Sequence, residues 1–305
     1  MRALLTGIAG FSGSHIAEQI LKTTDWDIVG LDCLTYAADV DNIPCSKRVS
    51  FICHDFSEPM NKWLKIIGKV DYIIHCGAET HVKNSLENTE PFIKSNIVGT
   101  YQMLELARIL KPRKFIYVST DEVFGTSLVG HKEEDTLNPS NPYSASKAAG
   151  EMLVKAYHSS FGVPAIITRT TNIYGSRQHE EKFIPMAIGK IKRGEVIEIH
   201  ADKDGNIGSR QWIHASDQAK ALIFLLQNGE IGETYHIAGE RRDNLDIVDS
   251  LEELVEVKND DDVRIVNAFE QYKGHDLHYA LDDSKIREMG WAPKLSFEEG
   301  LALTV

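Results

Sequence analysis

The sequence predicts an α/β fold: a doubly wound parallel sheet with a smaller, interleaved C-terminal domain. Three observations predict it. Short, β-rich apolar runs alternate with amphipathic stretches through the first half, the pattern of successive βαβ units. Those runs are nearly continuous in apolar residues rather than alternating, as strands covered on both faces must be. After about residue 169 the segments become shorter, more charged and richer in loops, which marks a second structural part.

Taken in order, Arg2–Thr6 reads as the first strand. It is no signal-peptide core, because glycines at 7, 10 and 13 follow at once. Ser12–Thr23 has the spacing of an amphipathic helix. Strands are expected at Asp27–Asp32, Val49–Cys53, Val70–Cys76, Lys114–Ser119 and Pro164–Arg169, with helices at Glu90–Leu110 and Pro142–Phe161. Asp217–Gln227 and Glu233–Ile237 return to an apolar pattern and should rejoin the main sheet as a helix and a strand. The expected division is therefore residues 1–168 plus about 213–238 for one domain, and about 169–212 with 239–305 for the other.

Composition bounds the function. The 305 residues are 42% hydrophobic and 26% charged, ordinary for a folded chain with enough length to bury a core. Lys and Arg number 33 and Asp and Glu 45, so the formal charge is 33 − 45 = −12. That balance argues against a nucleic-acid partner, which needs a basic face. No apolar run approaches the length of a membrane span. Cys33, Cys45, Cys53 and Cys76 form no metal spacing and read as reduced, mostly buried thiols of a cytoplasmic protein. Lys190–Arg193 reads as a solvated helix face, and Asp260–Asp262 as a solvated turn rather than a metal site. His75, His81, His179 and His275 lack the spacing of metal ligands, so no metal is expected.

The turn after the first strand reads Thr6-Gly7-Ile8-Ala9-Gly10-Phe11-Ser12-Gly13. Gly7 permits the tight turn, Gly10 lets the backbone approach a pyrophosphate, and Gly13 lets the following helix pack closely. The free N–H groups of that helix favour an anion. Asp32 ends the second strand 32 − 13 = 19 residues after the last glycine, the offset of a carboxylate that bonds an adenosine ribose. Its neighbours Cys33 and Leu34 offer no positive charge to a 2′-phosphate, so NAD is favoured over NADP. The domain is then of Rossmann type.

Tyr143 and Lys147 are four residues apart in a helix opened by Pro142, and so share a face. An ammonium nearby, with the positive nicotinamide ring, would favour the phenolate and make Tyr143 a general base for a sugar hydroxyl. The strand ending in Ser119-Thr120 runs into Asp121-Glu122. Adjacent carboxylates there could act as acid and base if their surroundings split their pKa values, or could simply cap a helix; spacing alone leaves the two readings even.

With these motifs the chain resembles the extended short-chain dehydrogenases acting on nucleotide sugars, and among them the dTDP-glucose 4,6-dehydratases. The resemblance runs through Gly7–Gly13, Leu34-Thr35-Tyr36-Ala37, Ala78-Glu79-Thr80-His81-Val82, Asn96–Tyr101, Thr120-Asp121-Glu122, Tyr143–Lys147, Asn172–Gly175, Glu181–Pro185, Arg210–His214 and Gly274-His275-Asp276. It implies that Tyr143 takes the O4 proton as hydride leaves C4 for NAD, that Glu122 removes the C5 proton, and that Asp121 protonates the departing O6 hydroxyl. Hydride then returns to C6, giving a 4-keto-6-deoxy nucleotide sugar. A 4-epimerase on the same scaffold would need Tyr143 and Lys147 but not the carboxylate pair; a non-catalytic NAD-binding regulator that kept the fold is the other alternative, against which the intact Thr120, Tyr143, Lys147 and carboxylates argue.

The resemblance further implies cofactor contacts from Gly7, Gly10, Phe11, Ser12, Gly13, Asp32, Leu34, Thr35, Asp55, Phe56, Ala78, Thr80, Ser95, Ser119, Tyr143, Lys147 and Ile173. Substrate contacts would come from Thr80, Thr120, Asn172, Glu181, Lys182, Phe183, Arg210, Asn244, Tyr272 and His275. It also implies a homodimer paired through the helices Asn96–Leu110 and Pro142–Phe161. The chain departs from the family pattern at Tyr272-Lys273, where Arg-Pro is common, and at Lys83, Phe124, Ile8 and Ser12.

Overall fold

Strands that are apolar along their whole length need cover on both faces, and the central sheet has it. The computed structural model describes residues 1–201, 204–256, 263–267 and 278–305. The strands run β1 (Arg2–Thr6), β2 (Asp27–Asp32), β3 (Val49–Cys53), β4 (Tyr72–His75), β5 (Lys114–Thr120) and β6 (Ala165–Thr170). They continue as β7 (Asn172–Tyr174), β8 (Ile197–Ala201), β9 (Ser209–His214), β10 (Thr234–Ile237), β11 (Glu240–Asp243) and β12 (Val263–Asn267). Seven of them form one sheet in the order β10-β6-β5-β4-β1-β2-β3, and every pairing in it is parallel. The fold is thus the doubly wound α/β one that the alternation predicts.

Side-chain alternation sends Ala3 and Leu5 of β1 into one core and Leu4 into the other. Helices Phe11–Thr23 and Ala215–Asn228 seal the first through Ile16, Ile20, Leu222 and Leu225. Helices Gly99–Leu110 and Pro142–Phe161 seal the second through Met103, Leu104 and Val154. The late helix and β10 therefore belong to the main sheet, although the chain reaches them only after leaving it. Asn141 and Ser144 close a capping box ahead of Pro142, and Gly162 ends that helix at φ +69°.

Three expectations are corrected. The fourth strand is Tyr72–His75, shorter than Val70–Cys76, because the N–H groups of Cys76 and Gly77 leave the ladder and donate to Thr6 Oγ1 at 3.1 and 3.0 Å. The Glu90–Leu110 helix contains a π-helical stretch at Ile93–Val98. There the Thr100 hydroxyl donates to the Asn96 carbonyl at 2.7 Å. The Asn96 side chain leaves the helix to bind the Glu79 backbone and the Ser146 hydroxyl. The cysteines are less buried than expected: Cys45 and Cys53 are exposed, and Cys33 and Cys76 partly so. Cys53 ends β3, the edge of the sheet.

Beyond β6, β7 and β9 pair in parallel and β9 pairs antiparallel with β11, while β8 and β12 make a separate parallel pair. Tyr174, Ile184, Ile197, Trp212, Leu251 and Phe297 fill a separate apolar core there. Lys190–Arg193 ends the Phe183–Arg193 helix, with cations in its last turn as the macrodipole favours. Asp260–Asp262 lie outside the described residues. Among the described residues, no helix is long and apolar enough to cross a membrane.

Candidate active site

Strand order reverses between β1 and β4, and a parallel sheet opens a crevice at such a point, beyond the carboxyl ends of its strands. A cleft of about 440 Å³ lies there. The glycine turn forms its floor. Gly7 sits at φ +73°, where side chains are disfavoured. A Cβ on Gly13 would come within 1.9 Å of the Gly7 carbonyl oxygen. Gly10, Phe11, Ser12 and Gly13, at the start of the Phe11–Thr23 helix, line the cleft with that helix's free N–H end.

Asp32, at the end of β2, accepts hydrogen bonds from the Ala9 N–H (3.1 Å) and the Leu34 N–H (2.9 Å). Burial raises its pKa, and these N–H bonds oppose the rise. Each carboxylate oxygen keeps a second lone pair for a ribose hydroxyl. A cradle that a single Cβ would fill, an anion-favouring helix end and a carboxylate at the ribose distance together fit a dinucleotide.

The end of β5 brings two carboxylates to the cleft. Thr120 donates to Asp121 Oδ1 at 3.0 Å and accepts the Glu122 N–H at 3.3 Å. Asp121 is 3% exposed. Burial, then repulsion from Glu122, pushes its pKa up to about 7. Its Oδ2, Ser119 Oγ and Thr170 Oγ1 are buried without a protein partner, and all three residues line the cleft. Glu122 also lines the cleft and accepts from the Tyr279 hydroxyl at 3.4 Å. The two carboxylates therefore stand in different settings, one dry and one open to the cleft, which is how neighbouring groups take opposite acid–base roles.

Tyr143 is buried beside them, close to the Thr120 hydroxyl. Its pKa is pushed well above the ordinary tyrosine value, by burial first and Glu122 second. The lowering expected from Lys147 is not delivered by the protein groups. Lys147 Nζ instead donates to the Val118 carbonyl at 2.7 Å and lies 4.2 Å above the Tyr117 ring. Burial lowers the Lys147 pKa to about 8.

The cleft gathers nearly all the residues singled out in the sequence. Thr35, Asp55, Phe56, Ala78, Thr80, Ser95, Asn172, Ile173, Glu181 and Lys182 line it together with the turn and with Ser119, Thr120, Asp121, Glu122, Tyr143 and Lys147. Lys182 spans it, donating to the Thr80 carbonyl at 3.1 Å. Leu34 does not line it; its N–H serves Asp32 and its side chain is exposed. Phe183 packs against Trp212 in the smaller core. Asn244 opens the Asn244–Val255 helix outside the cleft. Arg210 lies just beyond the wall, over the Tyr279 ring at 4.4 Å, close enough for its charge to act on Asp121. Tyr272 and His275 lie outside the described residues.

Residues the sequence reading missed are Glu79, Gln178 and Lys94, all in the lining, and Tyr279. Glu79 stood inside a quoted motif. Tyr279 follows Gly274-His275-Asp276 closely, the one local cue to it.

Known proteins agree with this geometry. The family model described as GDP-mannose 4,6 dehydratase matches residues 4–304. A trifunctional UDP-glucose 4,6-dehydratase, epimerase and reductase of Arabidopsis thaliana is 39% identical over 99% of this chain; the chain spans about half of that protein, 46% of its length. The dTDP-glucose 4,6-dehydratase of Haemophilus influenzae is 36% identical, over 100% of this chain and 97% of its own. The crystal structure of a Streptomyces venezuelae dTDP-glucose 4,6-dehydratase, solved with NAD bound, superposes with a TM-score of 0.92 at 35% identity, covering 100% of this chain and 95% of that one. A match over almost every residue, with the glycine turn, the carboxylate pair and the Tyr/Lys pair gathered in one cleft, leaves a single conclusion: this chain belongs to the GDP-mannose 4,6 dehydratase family.

Proposed function

We propose that the protein is an NAD-dependent nucleotide-sugar 4,6-dehydratase that converts an NDP-hexose, dTDP- or UDP-glucose, into the NDP-4-keto-6-deoxyhexose. The observation that carries the proposal is the split carboxylate pair: Asp121, dry and with its pKa near 7, beside Glu122, which faces the cleft. Oxidation at one carbon needs only Tyr143 and a dinucleotide. Elimination of water needs an acid and a base as well, and these two residues supply them.

Bound NAD would supply the acceptor for hydride from C4, its later return to C6, and a positive ring over the site. Gly7–Gly13, Asp32 and Lys147 would hold it. Tyr143, beside Thr120, takes the proton from the O4 hydroxyl. Glu122 then removes the C5 proton, which the new neighbouring ketone has made acidic. Asp121 gives its proton to the O6 hydroxyl, so that water departs and the carboxylate remains. C5 takes a proton back from Glu122 when C6 is reduced, and the O4 proton held by Tyr143 passes to Asp121, which restores all three residues. Thr80, Asn172, Glu181 and Lys182 bind the sugar. Arg210 lies toward the diphosphate, as a guanidinium fork suits. Residues about 169–212 and 239–305 form the nucleotide-sugar end, and 1–168 with about 213–238 the cofactor end.

A homodimer and a reducing, cytoplasmic setting belong to the same proposal. Tyr101, Ile109, Met152 and Phe161 expose apolar surface on the two adjacent helices, and the four cysteines are unpaired.

The test is incubation with dTDP-, UDP-, GDP- and CDP-hexoses and a product mass. Loss of one water supports the dehydratase. An unchanged mass with an inverted hydroxyl supports a 4-epimerase instead.

A further inference from the structure

The loop after β2 is fixed at its roots and tied at its tip. At the roots, the Leu34 N–H binds Asp32, and the Asp39 N–H and Asn42 Nδ2 both donate to the Ala9 carbonyl, at 3.0 and 3.1 Å. The tip is Tyr36. It is 53% exposed, yet its hydroxyl has two partners from other parts of the chain. It donates to Glu181 Oε1 at 3.3 Å and accepts from Asn84 Nδ2 at 3.3 Å. A carboxylate only accepts and an amide NH₂ only donates, so both bonds have one assignment. The His179 ring stands edge-on to the Tyr36 ring at 5.5 Å.

These contacts join separate parts of the cleft's lining. Thr35 and Ala37, on either side of Tyr36, line the cleft, and His179 and Glu181 line it from a distant part of the chain. Glu181 is held in turn near His81, whose Nδ1 lies 3.7 Å from Oε2. Nothing in the core requires a half-exposed tyrosine to span the opening. Its phenol is also raised, to about 12, by burial and by Glu181, so it stays a neutral donor at any working pH.

We propose that Tyr36 is a latch: its hydroxyl bond to Glu181 closes the cofactor cleft and slows the release of NAD. A cofactor that is reduced and reoxidised within one turnover gains from such retention, since loss between the two steps would abandon the intermediate. The inference rests on the reading of the cleft as an NAD site.

Tyr36→Phe removes only the bond-forming oxygen. The probe is radiolabelled NAD, loaded on the intact protein and chased with excess unlabelled NAD. A hydrogen bond from a phenol to a carboxylate in a partly solvated setting predicts release about threefold to tenfold faster in the variant. Glu181→Ala should speed release as well, and Tyr36→Phe with Glu181→Ala should add nothing to the larger single effect, because both remove the same bond. Equal release from wild type and Tyr36→Phe overturns the latch alone. Additive effects overturn it too, since the residues would then act separately. If the wild-type protein binds no labelled NAD, the reading of the cleft falls and the latch with it.

Discussion

Asp121 and Glu122 are adjacent, chemically alike, and different in setting. Sequence spacing brought both to a strand end but left open whether they capped a helix or did chemistry. What decides is burial, and distant parts of the chain pack on this turn: Arg169 lies over Phe124, and Tyr279 bonds Glu122. The same buried setting makes a stability prediction. The Asp121 pKa is raised from 3.8 in the ordinary state to about 7 in the fold. The folded protein therefore holds a proton that the unfolded chain has lost between those values, and stability falls as pH rises through that window. Asp121→Asn should match wild type below about pH 4, gain on it up to about pH 7, and stay ahead by roughly 2–4 kcal/mol above, read by urea unfolding across pH. Its turnover should fall about a hundred- to ten-thousandfold for want of an acid. A variant no more stable than wild type at pH 8 would show that the carboxyl is not so strained.

At the scale of elements, the dinucleotide turn was the most legible feature, because its glycines answer to local sterics alone. The structure gives each a reason that needs no partner beyond the neighbouring strand ends: Gly7 for its positive φ, Gly13 for the Gly7 carbonyl beneath it. Gly13→Ala, which would force a Cβ within 1.9 Å of that oxygen, should abolish NAD retention in equilibrium dialysis. A protein that still binds NAD normally would show that the helix can move away at little cost. The π-helical stretch at Ile93–Val98 was not legible. Its cause is a set of bonds from Asn96 to Glu79 and Ser146, 17 and 50 residues away, which helical periodicity cannot register. The Tyr143 environment was misjudged for a related reason. Shared helical face put Lys147 near it, but the ammonium is committed to the Val118 carbonyl.

For the whole molecule, the alternation of strands and helices predicted the parallel sheet, and the late apolar helix and strand that rejoin it, Ala215–Asn228 and Thr234–Ile237, were visible as Asp217–Gln227 and Glu233–Ile237. The smaller part was read less well. Its strands pair within two small sheets rather than one long alternation of strands and helices, and Phe183 and Asn244 fall outside the cleft. The apolar surface left on the helices Gly99–Leu110 and Pro142–Phe161 is the basis of the proposed dimer. The two stand side by side, with the Tyr157 hydroxyl on Glu105 at 2.7 Å, and both leave large apolar side chains exposed. Replacing Met152 and Tyr101 by Glu should convert a dimer to a monomer in light scattering at micromolar concentration, because an isologous interface places each charge in the assembly twice. Wild-type protein that is already monomeric there would remove this part of the account.

The central claim is that one cleft oxidises at C4 and then eliminates water with two carboxylates. Glu122→Gln separates those steps. Given the nucleotide hexose that the wild-type protein dehydrates, the variant should complete the first step and stop, with bound reduced cofactor visible by its near-ultraviolet absorbance and no dehydrated product released. Tyr143→Phe should show neither. If instead Glu122→Gln and Asp121→Asn both turn over like wild type while Tyr143→Phe is inactive, the carboxylates do no chemistry, and the protein is an epimerase rather than a dehydratase.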